Sequence, residues 1–380
     1  MHGHREGRQV SQRSLGKRKC PLEGLEMMRD VSDRFWKGKK VFITGHTGFK
    51  GSWLSFWLWK MGAHVTGYAL EPPTRPNLFG LLKLKSKIKS VHRDVRDLTF
   101  LKKNIRNAEI VFHLAAQPIV LESYKNPVDT YTTNVMGTIN LLEALREHKT
   151  LKAIVNVTTD KCYENRENPQ IAYKEYEPMG GFDPYSNSKA CSELVTDSYR
   201  KSFYKSGEKI GIATARAGNV IGGGDFAADR LIPDCIRGIM EGEKIIVRNP
   251  ESTRPWQHVL EPLAGYLMLA ESLCKAPKVF SEGWNFGPKE KDAKSVLQIL
   301  EAFCKFWGND AGYEIKKNPR APHEAGYLKL DSSKAKKKLL WRPRWDSVLA
   351  VQKTVEWYKI YQEKGNMEKI TSAQIESYYG

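Results

Sequence analysis

Tyr185 and Lys189 stand four residues apart in the run Tyr185-Ser186-Asn187-Ser188-Lys189, a spacing that brings both side chains to one face of a helix. A phenol ionises only near pH ~10 and is a poor base at neutrality. A neighbouring cation favours the phenolate, so such a pair can take the proton of an alcohol while hydride leaves its carbon. The same spacing also suits an ordinary exposed helix. Upstream, Thr158-Thr159-Asp160-Lys161 puts a hydroxyl, an acid and an amine together at the end of an apolar run. That acid and amine suit either proton transfer or a surface ion pair. A third cluster is Thr44-Gly45-His46-Thr47-Gly48-Phe49-Lys50-Gly51, whose glycines recur every third residue. Glycine permits a tight turn and lets a pyrophosphate approach the N–H groups that open a helix. The spacing is GxxGxxG, not the commoner GxGxxG.

Each cluster needs an element to hold it. Residues 40–44 form a short apolar run ending at Gly45, which reads as a buried strand, and Leu54, Trp57, Leu58 and Met61 then recur at helical spacing until Gly62. Further strands are expected at 64–70, 90–93, 110–114, 151–157 and 210–215, with helices over 128–147 and 185–204. Strands alternating with helices imply an α/β fold with a doubly wound parallel sheet, Rossmann-like and covered on both faces. After Arg216 the alternation fades into Gly- and Pro-rich loops, which marks a smaller carboxyl-terminal domain facing a cleft at the carboxyl edge of the sheet. The expected division is a basic, disordered extension over 1–34 and a dinucleotide-binding domain over 35–220, with a returning segment at about 253–282. A substrate domain would cover 221–252 and 283–365, with a tail over 366–380.

Asp94-Val95 ends the third strand-like run, where a carboxylate can accept the adenine amino group or cap the helix before Leu98. Leu114-Ala115-Ala116 supplies small residues that leave room for a ligand. Glu71, after the second strand, suits the ribose 2′-hydroxyl of NAD, whereas Arg75 would suit a 2′-phosphate; the reading is NAD.

Composition limits the classes. Hydrophobic residues at 41% and charged residues at 27% exclude a wholly disordered, collagen-like or coiled-coil chain. The formal net charge of +18 favours anionic partners without choosing among nucleic acid, membrane and phosphorylated metabolites. No stretch reaches the ~18 apolar residues of a membrane span. Cys20, Cys162, Cys191, Cys235, Cys274 and Cys304 are scattered, as expected of reduced thiols in a cytoplasmic chain with no metal site. The early basic residues, from Arg5 to Lys19, lack the apolar core of a secretory signal. No aromatic residue interleaves them, which disfavours a nucleic-acid-binding arm.

TGHTGFKG at 44–51, HLAAQ at 113–117, TTDKCY at 158–163, YSNSK at 185–189 and RAGNVIGGGD at 216–225 together resemble the extended short-chain dehydrogenase/reductases that act on nucleotide sugars, over about residues 39–361. Thr159-Asp160-Lys161, GYALEPPTRPNLF at 67–79 and RPWQHVLEPL at 254–263 narrow the resemblance to the CDP-glucose 4,6-dehydratases. It implies a hydro-lyase with bound NAD, contacted by Gly45, Thr47, Gly48, Phe49, Gly51, Glu71, Asp94, Val95, Leu114, Ala115, Ala116, Asn134, Tyr185 and Lys189. Thr159 would bond the sugar O4, and Tyr185 would take its proton as hydride passes from C4 to NAD. Asp160 would be the acid and Lys161 the base for loss of water across C5–C6. The related dTDP-glucose dehydratases carry an acidic residue in place of Lys161; the lysine either acts as a neutral base or stays charged and stabilises the enolate.

The resemblance further assigns Asn219, Arg254 and Asn285 to the substrate's phosphates and His113 and Gln117 to the cofactor or sugar. Trp256 and His258 suit buried packing as well as ligand contact. A homodimer built on the helices at 128–147 and 185–204 is implied, although Leu141, Leu142 and Leu145 would equally face this chain's own sheet. A role in dideoxyhexose and lipopolysaccharide O-antigen synthesis is implied as well. The rival readings are an epimerase or ketoreductase of the same superfamily, and a non-catalytic dinucleotide sensor or nucleic-acid binder.

Overall fold

The computed structural model describes residues 30–308, 311–316 and 325–379; Cys20 and the basic run from Arg5 to Lys19 lie outside them. Seven strands make one parallel sheet: β1 (Lys40–Thr44), β2 (His64–Ala69), β3 (Lys89–His92), β4 (Ile110–His113), β5 (Ala153–Val157), β6 (Gly211–Ala217) and β7 (Gly283–Phe286). Their order is β7-β6-β5-β4-β1-β2-β3. Val41 pairs with Val65 of β2 and with Ile110 of β4, so β1 and β4 flank the crevice where the winding reverses.

The apolar runs are continuous because helices cover both faces. Along β1, Val41 and Ile43 join one core with Ile110, Phe112, Trp53 and Trp57, while Phe42 joins a second with Val111, Ile154 and Leu141. Alternate residues thus feed opposite layers. Leu141, Leu142 and Leu145 belong to that second core and face this chain's own sheet. The first layer is closed by the Leu260–Lys275 helix, buried along most of its length. Two carboxylates inside it act as anchors. Glu271 Oε1 accepts from Trp36 Nε1 (2.7 Å) and Ser32 N (3.1 Å), and Glu261 accepts from the Trp345 N–H (2.7 Å) and Tyr378 hydroxyl (2.7 Å). Burial pushes both carboxyls up to about 7.

Those anchors account for two departures from expectation. The extension does not reach residue 34: Asp33–Trp36 is helical and Trp36 is fully buried. The segment expected as a tail over 366–380 carries a helix, Met367–Tyr379, that packs Tyr378 and Tyr379 edge-on against Trp57. Two others lie in the sheet layer. The helix expected over 128–147 is Pro127–Tyr131, a π-helical turn Thr132–Met136, and Gly137–Leu145. The wide turn carries Asn134, whose side chain accepts from Gln117 N (2.8 Å) and donates to Ser188 Oγ (2.8 Å). β7 went unforeseen because Gly283-Trp284-Asn285-Phe286 is short and buries the polar Asn285 between Trp284 and Phe286, so no continuous apolar run marks it. Beyond the sheet, short strand pairs (Ile245–Val247 with Tyr313–Ile315, Thr253–Pro255 with Ala293–Ser295) and the Leu231–Glu241 and Val296–Trp307 helices complete the carboxyl-terminal part. No helix among the described residues is long and apolar enough to cross a membrane.

Candidate active site

A cavity of about 770 Å³ opens at the carboxyl ends of β1 and β4. The glycine turn forms its floor. Gly45 has φ +76°, and a Cβ there would lie 2.7 Å from Ala115 N; a Cβ on Gly51 would lie 2.0 Å from Gly45 O. These two glycines are required by the chain itself. Gly48 differs: its missing side chain meets nothing nearer than 3.5 Å, so the backbone there is open to a ligand. It precedes the Phe49–Lys60 helix without a side-chain cap, leaving N–H groups of the first turn directed at the cavity floor. An anionic diphosphate fits this arrangement. Gly51→Ala is expected to destabilise the fold by about 1–3 kcal/mol through overpacking and to weaken dinucleotide affinity, checked by thermal unfolding and NAD titration.

Thr47, Phe49, Glu71, Asp94, Val95, Leu114, Ala115 and Ala116 extend the lining toward β2 and β3. Thr47 Oγ1 donates to Leu70 O (2.9 Å), and Glu71 contacts His92. Asp94 is clasped by Arg96, through Nε (2.9 Å) and Nη2 (2.6 Å), and the next helix is capped by Asp97 instead. Arg96, despite partial exposure, holds the Asp94 carboxyl below its usual range against the effect of burial. Arg75 does not line the cavity, whereas Arg93 does.

The opposite wall carries Thr159, Asp160, Lys161, Tyr185 and Lys189 together. Thr159 caps a 3-10 turn, Asp160–Cys162, that leads out of β5, and Tyr185 opens the Pro184–Ser202 helix capped by Asp183. Thr159 Oγ1 donates to Asp160 Oδ1 (3.0 Å). The second oxygen, Oδ2, is buried and has no hydrogen-bond partner. Burial raises the Asp160 pKa despite the nearby charges of Lys161, Arg254 and Lys50. Gly218 leaves the space Oδ2 occupies: a Cβ there would come within 2.9 Å of it.

Burial also dominates the Tyr/Lys pair. It pushes the Tyr185 phenol up to about 12, while a hydrogen bond with Thr159 and the charge of Arg230 pull the other way. It lowers Lys189 to about 8, and Lys189 Nζ donates to Val157 O (3.2 Å). The cation that offsets the burial of Tyr185 is therefore Arg230, which lies outside the YxxxK spacing. Beneath this wall, Glu193 Oε2 accepts from Arg216 Nη2 (2.8 Å) and Thr214 Oγ1 (2.6 Å), and Arg216 Nη1 donates to Tyr163 Oη (2.7 Å).

Of the residues assigned to substrate, Gln117, Asn219 and Arg254 line the cavity. Gln117 spends its side-chain amide on Ile119 O (3.1 Å) and Thr130 Oγ1 (2.9 Å), shaping the loop; Arg254 Nη1 donates to Thr253 O (3.1 Å) and Gly326 O (3.2 Å). Three assigned residues, His113, Asn134 and Asn285, are buried and stand behind the residues that line the cavity. His113 Nδ1 is 2.7 Å from Thr44 Oγ1 under the glycine turn, and burial lowers its pKa to about 3. Asn134 supports Gln117 and Ser188, and Asn285 accepts from Tyr163 Oη (2.7 Å) and donates to Tyr173 O (2.9 Å). His258 packs between Trp53 and Trp345, whereas Trp256 lines the cavity with its indole donating to Lys294 O (3.0 Å). Unforeseen lining residues include Lys50, Asp225, Arg230 and Arg248. Lys50 was visible inside the glycine motif and Asp225 at the end of RAGNVIGGGD; Arg230, at the start of the Leu231–Glu241 helix, and Arg248 carry no motif.

A doubly wound seven-stranded sheet, a GxxGxxG turn and a Tyr/Lys helix facing one crevice define an extended short-chain dehydrogenase/reductase. A family model described as GDP-mannose 4,6 dehydratase matches residues 42–354. The CDP-glucose 4,6-dehydratase of Salmonella typhimurium is 50% identical over 354 residues, covering 92% of this chain and 98% of that relative. Among solved structures, the UDP-glucuronic acid 4-epimerase of Bacillus cereus in complex with UDP-glucuronic acid and NAD matches with TM-score 0.74 and 25% identity, over 85% of this chain and 99% of that one. The dTDP-glucose 4,6-dehydratase DesIV of Streptomyces venezuelae matches in fold with TM-score 0.71 and 20% identity, over 87% and 99%. The chain belongs to the GDP-mannose 4,6-dehydratase family.

Proposed function

We propose that this protein is an NAD-dependent hydro-lyase that converts CDP-glucose to CDP-4-keto-6-deoxyglucose. The observation that carries the reading is the meeting of Thr159, Asp160 and Lys161 with Tyr185 and Lys189 on one cavity wall opposite the glycine turn. The choice of CDP-glucose is supported by the 50% identical relative. The turn from Gly45 to Gly51 holds the cofactor diphosphate, Glu71 the adenosine ribose, and Arg254 with Asn219 faces the substrate diphosphate. When bound, nicotinamide takes up hydride from C4 and returns it to C6.

The Thr159 hydroxyl turns from Asp160 Oδ1 to donate to the sugar O4, and Tyr185 removes the O4 proton. The C4 ketone acidifies the C5 hydrogen, which Lys161 accepts in its neutral form. Asp160 protonates the departing C6 oxygen, and water leaves. Burial suits Asp160 to this task because it keeps the carboxyl protonated to higher pH than a solvated one. An epimerase needs the Tyr/Lys pair without this acid and base.

We further infer a cytoplasmic homodimer. Val128 (75% exposed) and Met136 (47%) on one side and Leu194 (58%) on the Pro184–Ser202 helix leave apolar surface uncovered, and the five described cysteines are unbridged. The test of the reaction uses CDP-glucose carrying deuterium at C4. The label is expected on the C6 methyl of the product with no net consumption of cofactor. Loss of the label to solvent, or a stoichiometric demand for NAD, removes the assignment.

A further inference from the structure

Lys50 lies within the glycine motif, in the first turn of the Phe49–Lys60 helix, and its side chain lines the cavity. The other cations there are engaged. Arg230 pairs with Asp225 Oδ2 (2.8 Å), Lys189 donates to Val157 O, Arg254 to two carbonyls, and Arg96 to Asp94. Among the described residues the Lys50 ammonium has neither a hydrogen-bond acceptor nor an ion-pair partner. An ammonium carries donors only; Lys50 is half-buried and its ammonium is open to the cavity, so the acceptor it can gain is an oxygen supplied by a ligand. Asp160 poses the complementary case in the same cavity, with Oδ2 buried and unpartnered. Lys50 and Asp160 each feel the charge of the other, and Lys50 also feels Lys189 and Arg230. The group that satisfies both is an oxygen that accepts from the ammonium while receiving a proton from the carboxyl.

We propose that Lys50 is a further catalytic residue, which with Asp160 brackets the departing C6 hydroxyl of the sugar and donates a hydrogen bond to its oxygen as the C6–O bond breaks. This rests on the dehydratase reading above. The C5–H pair becomes the C5=C6 double bond, Lys161 holds the C5 proton, and Asp160 gives its proton to the oxygen, which leaves as water. Lys50 transfers no proton; it offsets the negative charge that develops on the oxygen before protonation is complete. A phosphate oxygen of the substrate or of the cofactor is the competing acceptor for the same ammonium.

The test mixes the NAD-loaded protein with CDP-glucose and follows both the absorbance of reduced nicotinamide and the 4-keto product. Lys50→Met is expected to reduce nicotinamide at the wild-type rate, to accumulate it, and to turn over about 10²-fold more slowly, the loss seen when a donor to developing charge is removed. Lys50→Arg is expected to recover most of that loss, and Lys50→Gln part of it. Turnover of Lys50→Met within twofold of wild type overturns the proposal. So does a loss traced in both neutral variants to NAD affinity, to KM for CDP-glucose, or to slower reduction of nicotinamide, any of which assigns the ammonium to a phosphate. Failure of the wild-type protein to dehydrate CDP-glucose overturns the dehydratase reading itself, so the two failures are distinct.

Discussion

Tyr185→Phe is expected to lower the turnover of CDP-glucose by on the order of 10³-fold and to leave the bound nicotinamide oxidised. The substitution deletes one oxygen from a buried ring at the start of the Pro184–Ser202 helix, so the packing of that helix is retained. What disappears is the group proposed to take the O4 proton, and without that transfer C4 cannot become a ketone. Because burial holds the phenol at about 12, the phenolate is not the resting state at neutral pH. Its formation must coincide with proton transfer from the sugar, and the charge of Arg230 supplies part of the stabilisation that makes the transient anion accessible. Mixing the variant with CDP-glucose should give neither a reduced-nicotinamide band nor 4-keto product, while thermal unfolding stays close to wild type. Turnover within tenfold of wild type excludes Tyr185 as the base.

Asp160→Asn is expected to fail later. The amide keeps the shape of the carboxyl and can still accept from Thr159, but it has no acidic proton for the C6 oxygen. Water loss should slow by about 10²- to 10⁴-fold, the range for removal of a general acid. The first step is untouched, so reduced nicotinamide should build up to a stoichiometric level on the enzyme and decay only slowly. The amide nitrogen placed at Oδ2 breaks no hydrogen bond but buries donors without an acceptor, so a modest fall in thermal stability of about 1–3 kcal/mol accompanies the kinetic effect. The contrast between the two variants carries the assignment: no reduction with Tyr185→Phe, reduction without elimination with Asp160→Asn. If Asp160→Asn releases product at the wild-type rate, the acid is another group and the dehydratase mechanism proposed for this wall is wrong.

The elements were legible where burial leaves a pattern. β1, β2 and β4 to β6 read as apolar runs because both sheet faces are covered. β7 lacked that pattern, since Asn285 is buried by hydrogen bonding to Tyr163 and Tyr173, which hydropathy does not register. Helix periodicity over 128–147 was also right in kind, yet it held no sign of the π turn at Thr132–Met136, whose partners Gln117 and Ser188 are distant in sequence. The final helix was missed for a similar reason: its anchor is Glu261, more than a hundred residues away.

The amino-acid order by itself determined the chemistry available to this protein. Glycines at every third position dictate a turn that admits a diphosphate, and Thr159-Asp160-Lys161 and Tyr185-Lys189 are local strings whose spacing suffices to group their side chains. The tertiary structure alone decided which polar residues reach the cavity. His113, Asn134 and Asn285 have the right chemistry, but partners distant in sequence hold them behind the wall, whereas Lys50 and Arg230 line it. The physical reason is that local spacing sets which face of a helix or strand a residue occupies, while exposure to a cavity depends on what packs against that face from elsewhere in the chain.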